Sequence, residues 1–301
     1  VNIELNIPSP VQFLGEISNG VRLYIKREDL IHPLFGGNKW RKLKYNIRYF
    51  QDSGFKTMVT FGGPFSNHIA AVAQICHYHG IPSAGIIRGT YKDADNPSLN
   101  AARQAGMKLH HIPKDEYALK DNSELVQSII GLYKRPYLVP EGGSNLLARK
   151  GVRELVDEID NVGQYDCLFL PAGTGMTAAG LICGIETNNC VRVINVLKNK
   201  SLASVIKNNI VSGNARWKVE SDYNFGGFAK VPEQLVEFNR GFWKQYGILL
   251  DPVYNAKAMY ALFDMASKGL IGKGASVLYL HTGGLQGIKA WEYVQKKVWV
   301  K

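Results

Sequence analysis

The stretch FGGNKWRKLKYN, Phe35 to Asn46, sets four basic side chains, Lys39, Arg41, Lys42 and Lys44, within six positions, behind two glycines and an asparagine. Three chemistries fit such a run: a solvated basic helix face, a phosphate or nucleic-acid patch, or one lysine acting as a nucleophile. An amine that attacks a carbonyl must be deprotonated part of the time, and nearby cations lower a lysine's pKa. Arg41 and Lys42 supply such cations, and Gly36-Gly37 let the backbone turn sharply just before Asn38 and Lys39. A second chemical stretch is PAGTGMTAAG, Pro171 to Gly180. It follows an apolar run and opens a helical one, so the backbone amides from about Gly173 through Thr174, Gly175 and Met176 to Thr177 point outward at a helix N-terminus. That is an anion cradle by geometry and dipole. The hydroxyls of Thr174 and Thr177 add donors.

The same loop spells G-x-G-x-x-A at Gly173, Gly175 and Ala178. A dinucleotide reading predicts an acidic residue near the end of the next strand. VRVINVLKNK, Val191 to Lys200, ends instead in Lys198 and Lys200, which NADP could use. On the loop alone an NADP-binding protein therefore stays open.

These residues need elements to position them. From about Lys56 short apolar runs alternate with helical patterns. TMVTFGG, SAGIIRG, MKLHHI, PYLVPEGG, DCLFLPAG, VRVINVL and SVLYLHTGG read as strands. SNHIAAVAQICHYHG, PSLNAARQAG, SELVQSIIGLYK, LARKGVRELVDEID, MTAAGLICGIE, SLASVIKNNI, PEQLVEFNRGFWKQYG and YNAKAMYALFDMASKG read as helices. The alternation predicts an α/β fold with parallel sheets, and right-handed crossovers put helices on both faces. Such sheets bind ligands at the carboxyl ends of their strands. Four glycine-bearing turns fall there, at Gly62-Gly63, Gly142-Gly143, Gly173-x-Gly175 and Gly283-Gly284, which points to a shared ligand site.

The 301 residues suffice for one large domain or two of ordinary size. No apolar run reaches membrane-spanning length, and VNIELNIPSPVQFL lacks the charged start and apolar core of a signal peptide, so no membrane role and a cytoplasmic setting are expected. Cys76, Cys167, Cys183 and Cys190 form no CxxC pair and are expected to be reduced, buried thiols without a metal. The net charge of +11 admits nucleic acid, but the basic residues are scattered with no arginine-rich arm. A protein handling small anionic molecules is at least as well supported by that pattern.

Taken in order, KREDL (Lys26–Leu30), GGNKWRKL (Gly36–Leu43), FGGPFSNH (Phe61–His68), PEGGSN (Pro140–Asn145), AGTGMTAAGL (Ala172–Leu181), LDPVYNAKAM (Leu250–Met259) and LHTGG (Leu280–Gly284) resemble fold type II pyridoxal 5'-phosphate (PLP) enzymes. The nearest resemblance is to the 1-aminocyclopropane-1-carboxylate (ACC) deaminase and D-cysteine desulfhydrase group. It implies two open, twisted α/β domains like those of the tryptophan synthase β-subunit, with PLP between them. The larger would comprise residues 1–40 and 148–301 and the smaller 41–147, in a homodimer. By the resemblance Lys39 joins the cofactor aldehyde and, once freed by the amino acid, removes its α-proton. Ser66 and Tyr254 are catalytic candidates that protonate the leaving group, and Tyr254 ionises partly if cations lie close. Ser66, Asn67, His68 and Tyr254 meet the substrate, Asn67 also meets the cofactor's ring oxygen, and the Gly173–Thr177 loop takes the phosphate.

The sequence departs from the group at two positions. His68 stands where many members carry glutamine, so a histidine titrating near neutrality is expected to shape the pH profile. Asn255 follows the active-site tyrosine where ACC deaminases carry a glutamate against the pyridine nitrogen. A neutral Asn255, with Thr282 as a second neutral ring contact, makes the ring a weaker electron sink. That tilts the expectation to β-elimination of D-cysteine, a lyase reaction giving pyruvate, sulfide and ammonia, over the hydrolase-type opening of ACC to 2-oxobutanoate and ammonia.

Overall fold

The computed structural model describes residues 4–90 and 96–300. The chain enters as a hairpin, β1 (Val11–Ile17) and β2 (Val21–Arg27), followed by α1 (Asn38–Asp52). Then come β3 (Thr57–Gly62), α2 (Asn67–Tyr78), β4 (Ser83–Arg88), α3 (Pro97–Gln104), β5 (Lys108–Ile112), α4 (Lys114–Leu119), α5 (Glu124–Gly131) and β6 (Pro136–Val139). After α6 (Leu146–Asp157) follow β7 (Cys167–Ala172), α7 (Met176–Gly184), β8 (Cys190–Asn195), α8 (Leu202–Asn209) and β9 (Arg216–Glu220). The chain closes with α9 (Glu233–Tyr246), α10 (Asn255–Ser267), β10 (Ser276–His281) and α11 (Gln286–Gln295).

The strands form two sheets, ordered β1-β2-β10-β7-β8-β9 and β5-β4-β3-β6. Every pairing in the second is parallel. The first is parallel except at its edge, where β1 runs antiparallel to β2. The expectation of parallel sheets holds apart from this hairpin, whose β1 is too exposed to carry a continuous apolar run.

Alternation along each strand feeds two faces. On β10, Val277 and Tyr279 join the layer under α9 and α10, while Leu278 and Leu280 face α7 and α8. The four-stranded sheet is covered likewise, by α1, α2 and α3 on one side and α4 and α5 on the other. α1 and α6 cross so closely that a Cβ on Gly151 would lie 2.0 Å from the Arg41 carbonyl oxygen. The expected domain boundaries, 40/41 and 147/148, therefore fall inside the first turns of two continuous helices that pack on one another. Among the described residues no helix is long and apolar enough to cross a membrane.

Candidate active site

The carboxyl ends of β3, β4, β6, β7, β8 and β10 converge on one cavity of about 830 Å³. Strands of both sheets thus contribute to one site, where parallel α/β sheets bind ligands.

Lys39 opens onto this cavity from the first turn of α1. The turn before it needs glycine: Gly37 has φ +80°, and a Cβ there would sit 2.2 Å from the Thr282 carbonyl oxygen. Asn38 N–H donates to that same oxygen at 3.1 Å, tying α1 to the end of β10. Lys39 Nζ donates to Asn38 Oδ1 at 2.8 Å, while Asn38 Nδ2 donates to Thr177 Oγ1 at 3.0 Å, linking the lysine to the glycine loop. Burial lowers the Lys39 amine to about 8, against the opposing pull of the Asp251 carboxylate.

The other basic residues of the run act differently from the sequence expectation. Arg41 is buried in ion pairs with Glu28 and Glu158 and does not line the cavity. Lys42 does line it, donates to the Gly142 carbonyl at 3.0 Å, and is held well below its ordinary value by burial and by Lys39. Lys44 pairs with Glu154 at the surface. Burial, rather than a cluster of cations, sets the Lys39 amine.

Ser66 caps α2, its Oγ accepting from His68 N at 3.2 Å and Ile69 N at 3.3 Å. Of the first-turn amides this leaves the one of Asn67 for an anion. The Asn67 side chain reaches Gly284 O at 3.5 Å, beside the end of β10. His68 Nε2 lies 2.8 Å from Thr60 Oγ1, whose own proton goes to Val139 O at 2.8 Å. Nε2 therefore carries the ring proton, and Nδ1 is a buried acceptor without a partner among the described residues. Burial and the charges of Lys39 and Lys42 hold the imidazolium well below its usual range, so His68 is neutral near pH 7. This corrects the expectation of a group titrating near neutrality.

The loop after β7 reaches α7 through Gly175, the left-handed residue that caps the helix. Gly173, Thr174, Gly175 and Thr177 line the cavity. Met176 does not: its side chain is buried, so it contributes its backbone alone. Ser144 Oγ donates to Thr174 Oγ1 at 2.8 Å, joining this loop to the turn after β6.

Tyr254 and Thr282 also line the cavity. Burial, with Asp251 and Glu141, raises the Tyr254 phenol above its ordinary value, so it stays protonated, contrary to the expected partial ionisation. Asn255 is fully buried and absent from the cavity wall. Its Nδ2 donates to Asp251 Oδ2 at 2.6 Å and Gly283 O at 2.8 Å. Its Oδ1 accepts from Thr282 N at 3.1 Å, Thr282 Oγ1 at 3.4 Å and the Tyr279 hydroxyl at 3.1 Å. With every polar group committed to protein, Asn255 acts on the cavity through Thr282 instead of touching a ring, which corrects its expected placement.

The family match decides the cofactor. Residues 4–283 match the family described as pyridoxal-phosphate dependent enzyme. A Pyrococcus abyssi protein carrying the provisional name 1-aminocyclopropane-1-carboxylate deaminase is 32% identical, covering 93% of this chain and 90% of its own. This chain belongs to the pyridoxal-phosphate-dependent enzymes. The mitochondrial bifunctional D-cysteine desulfhydrase/1-aminocyclopropane-1-carboxylate deaminase of Arabidopsis thaliana is 30% identical, over 94% of this chain and 78% of that one. The crystal structure of an ACC deaminase homologue superposes with a TM-score of 0.80 at 27% identity, covering 98% of this chain and 94% of that chain.

The cavity of this PLP-dependent enzyme suits the cofactor. It offers two amines lowered by burial, Lys39 and Lys42, a helix N-terminal glycine loop linked to Lys39 through Asn38, and a His68 Nδ1 that has no partner among the described residues. With the family shown, the NADP reading of the G-x-G-x-x-A spelling falls. One site residue escaped sequence reasoning. Asp251, fully buried, accepts from the N–H groups of Val253 (3.1 Å), Tyr254 (2.8 Å) and Asn255 (2.9 Å) and so shapes the start of α10. Its sequence signal was an aspartate ahead of a helix start in DPVYN, an Asx-type cap.

Proposed function

We propose that the enzyme eliminates thiolate from D-cysteine or a closely related amino acid, giving pyruvate, sulfide and ammonia. The observation that carries this choice is the uncharged wall at Tyr254, Thr282 and Gly283. The carboxylate of Asp251 lies behind that wall, outside the cavity lining. Lys39 would join the cofactor aldehyde, the Gly173–Thr177 loop would hold its phosphate, and Asn67 and Thr282 would flank its ring. Bound there, PLP supplies an electron-withdrawing ring that takes up the charge left when the α-proton is removed. A ring with only hydroxyl and backbone partners is a weaker sink. It favours a substrate whose leaving group carries the charge away over one whose strained carbon ring must open.

The side chains fit the remaining tasks. The Asn67 N–H at the start of α2 binds the substrate carboxylate. Lys39 Nζ, near 8, is matched to take the α-proton near neutral pH. Ser66 Oγ accepts two amide protons, which leaves its own hydrogen to donate into the cavity. Tyr254, held protonated, orients the departing sulfur as a hydrogen-bond donor. Giving up its proton to a thiolate of pKa about 8.5 is uphill.

ACC deamination is the second reading, favoured by the names of the relatives. The test compares pyruvate and sulfide from D-cysteine with 2-oxobutanoate from ACC, using the PLP-loaded protein. Turnover of ACC alone overturns the proposal. Borohydride reduction followed by peptide mapping places the pyridoxyl group; an adduct elsewhere than Lys39 removes that lysine from its role. A homodimer and a cytoplasmic setting belong to the same proposal, and light scattering of the eluting protein reports the first.

A further inference from the structure

We infer that Cys167 and Cys190 form an oxidisable dithiol, a modification site at the end of the six-stranded sheet remote from the active site. The two residues are directly opposed in the register of β7 and β8, on one face of the sheet. Adjacent strands lie roughly 4.7–4.9 Å apart, within the Cα separation of about 4.4–6.8 Å that a disulfide spans. Both line a second cavity of about 360 Å³, shared with Asp166, Arg192 and the 271–275 turn. Cys190 is partly exposed there, and Cys167 lies 6% exposed behind it. This cavity sits at the amino ends of β7 and β8, whereas the Gly173–Thr177 loop leaves the carboxyl end of β7.

Arg192 follows Cys190 by two positions on the same face and lines the same cavity, where its charge favours a thiolate. Its guanidinium is fixed by Glu220 Oε1 at 2.8 Å and Leu270 O at 3.0 Å. The adjacent Cys167 thiol and the charge of Arg192 pull the Cys190 thiol below its ordinary value. The pairing with Cys190, with burial, pushes Cys167 up, and its thiol lies 3.8 Å from Leu168 O. The pair thus offers one thiolate and one adjacent thiol, the division of labour that dithiol oxidation needs. Cys76, by contrast, is buried with its thiol pushed up to about 12.

The oxidant is a hydroperoxide. The Cys190 thiolate attacks one oxygen of hydrogen peroxide. The O–O bond breaks, a sulfenic acid forms on Cys190, and hydroxide leaves to become water. The Cys167 sulfur then attacks the sulfenic sulfur; the S–O bond breaks, the S–S bond forms, and a second water leaves with the Cys167 proton. Two thiols and one peroxide give one disulfide and two waters, so the peroxide is reduced by two electrons.

The test needs neither substrate nor turnover, so its outcome is independent of the proposed reaction. PLP-loaded protein is treated with stoichiometric peroxide, alkylated, digested without reduction and mapped. A Cys167–Cys190 linked peptide, two hydrogens lighter and reversed by a thiol reductant, is expected. Iodoacetamide at pH 7 should modify Cys190 several-fold to about tenfold faster than N-acetylcysteine, because a larger thiolate fraction outweighs its lower nucleophilicity. In Cys167→Ser one equivalent of peroxide should leave Cys190 as a dimedone-reactive sulfenic acid, and a second equivalent should take it on to sulfinic acid. Oxidation of wild-type protein without the link, or alkylation of Cys190 slower than the free thiol, overturns the proposal.

Discussion

At the scale of single residues, the site is governed by what burial does to charge. In the proposed attachment, protonation of the Lys39 amine, lowered to about 8, limits reaction with the cofactor aldehyde, because only the neutral amine attacks. Reconstitution of apoprotein with PLP, followed by absorbance, should slow about tenfold per unit as pH falls below about 8. A rate flat between pH 6 and 8 would contradict the placement of this amine. Lys39→Ala should lose turnover by at least about 10³-fold, as expected where one group is both attachment point and base. His68 gives a prediction about stability. It is neutral in the fold, its pKa depressed by burial and by Lys39 and Lys42, whereas in the unfolded chain it takes a proton near 6.5. The unfolded state thus binds more protons below about 6.5. The stability that neutral His68 maintains is complete above that pH and drains away as pH falls toward its folded value, at up to about 1.4 kcal/mol per unit. Urea melts at pH 7.5 and 5 should show a larger acid loss for wild type than for His68→Gln; equal losses would mean that His68 is already charged in the fold.

Elements translate these residues into geometry, and the helix starts carry most of it: α1 presents Lys39, α2 Ser66 and Asn67, α7 the glycine loop, and α10 Tyr254. The start of α10 is braced by Lys257, whose buried ammonium donates to the carbonyls of Gly227 at 2.7 Å, Asn224 at 2.9 Å and Val196 at 3.3 Å. That anchors the segment bearing Phe228 and Ala229, which line the cavity. Lys257→Met leaves three carbonyls without their donor and should lower stability by about 3 kcal/mol, with KM rising more than kcat falls as the cavity wall loosens. An unchanged KM would mean that the segment is held without Lys257. The strands most plainly legible in the sequence were those buried on both faces, although the partly exposed edge strands β5 and β6 were also read and the interior β2 was not. β3, β7 and β10 are buried along their whole length, so their apolar runs are continuous. β1 and β9 are edge strands with exposed positions and read as nothing in particular. Likewise Ser66 and the glycine loop were legible because their chemistry is local, a cap and a turn. The inward aim of Lys42 and the retreat of Asn255 behind Thr282 are set by contacts 100 and 27 residues away in the chain, which no local pattern encodes.

For the whole molecule the question is how two sheets are held at the spacing that one cavity requires. α1 carries Lys39, the proposed attachment point, and it is clamped where the parts of the fold meet. Arg41 donates from Nε to Glu28 Oε2 at 2.8 Å and from Nη2 to Glu28 Oε1 at 2.9 Å, just beyond β2 of the six-stranded sheet. It also pairs through both terminal nitrogens with Glu158, just beyond α6. Ser9 Oγ donates to Glu28 Oε1 at 2.6 Å, adding the entering chain to the same knot. A buried cluster of this kind contributes little beyond an apolar replacement of the whole set, but it penalises loss of one member heavily. The proposed 40/41 boundary passes beside this knot, since Arg41 lies in the first turn of α1, while Glu158 lies at the far end of α6 from the 147/148 boundary. Arg41→Met therefore strands two carboxylates and should cost about 3–5 kcal/mol. Activity per folded molecule should persist under permissive conditions, because Arg41 does not line the cavity. Simultaneous replacement by Arg41→Met, Glu28→Gln and Glu158→Gln should recover part of that stability. If Arg41→Met instead abolishes PLP attachment while the melting temperature holds, then the role of Arg41 is to tune Lys39 and not to brace the helix that carries it.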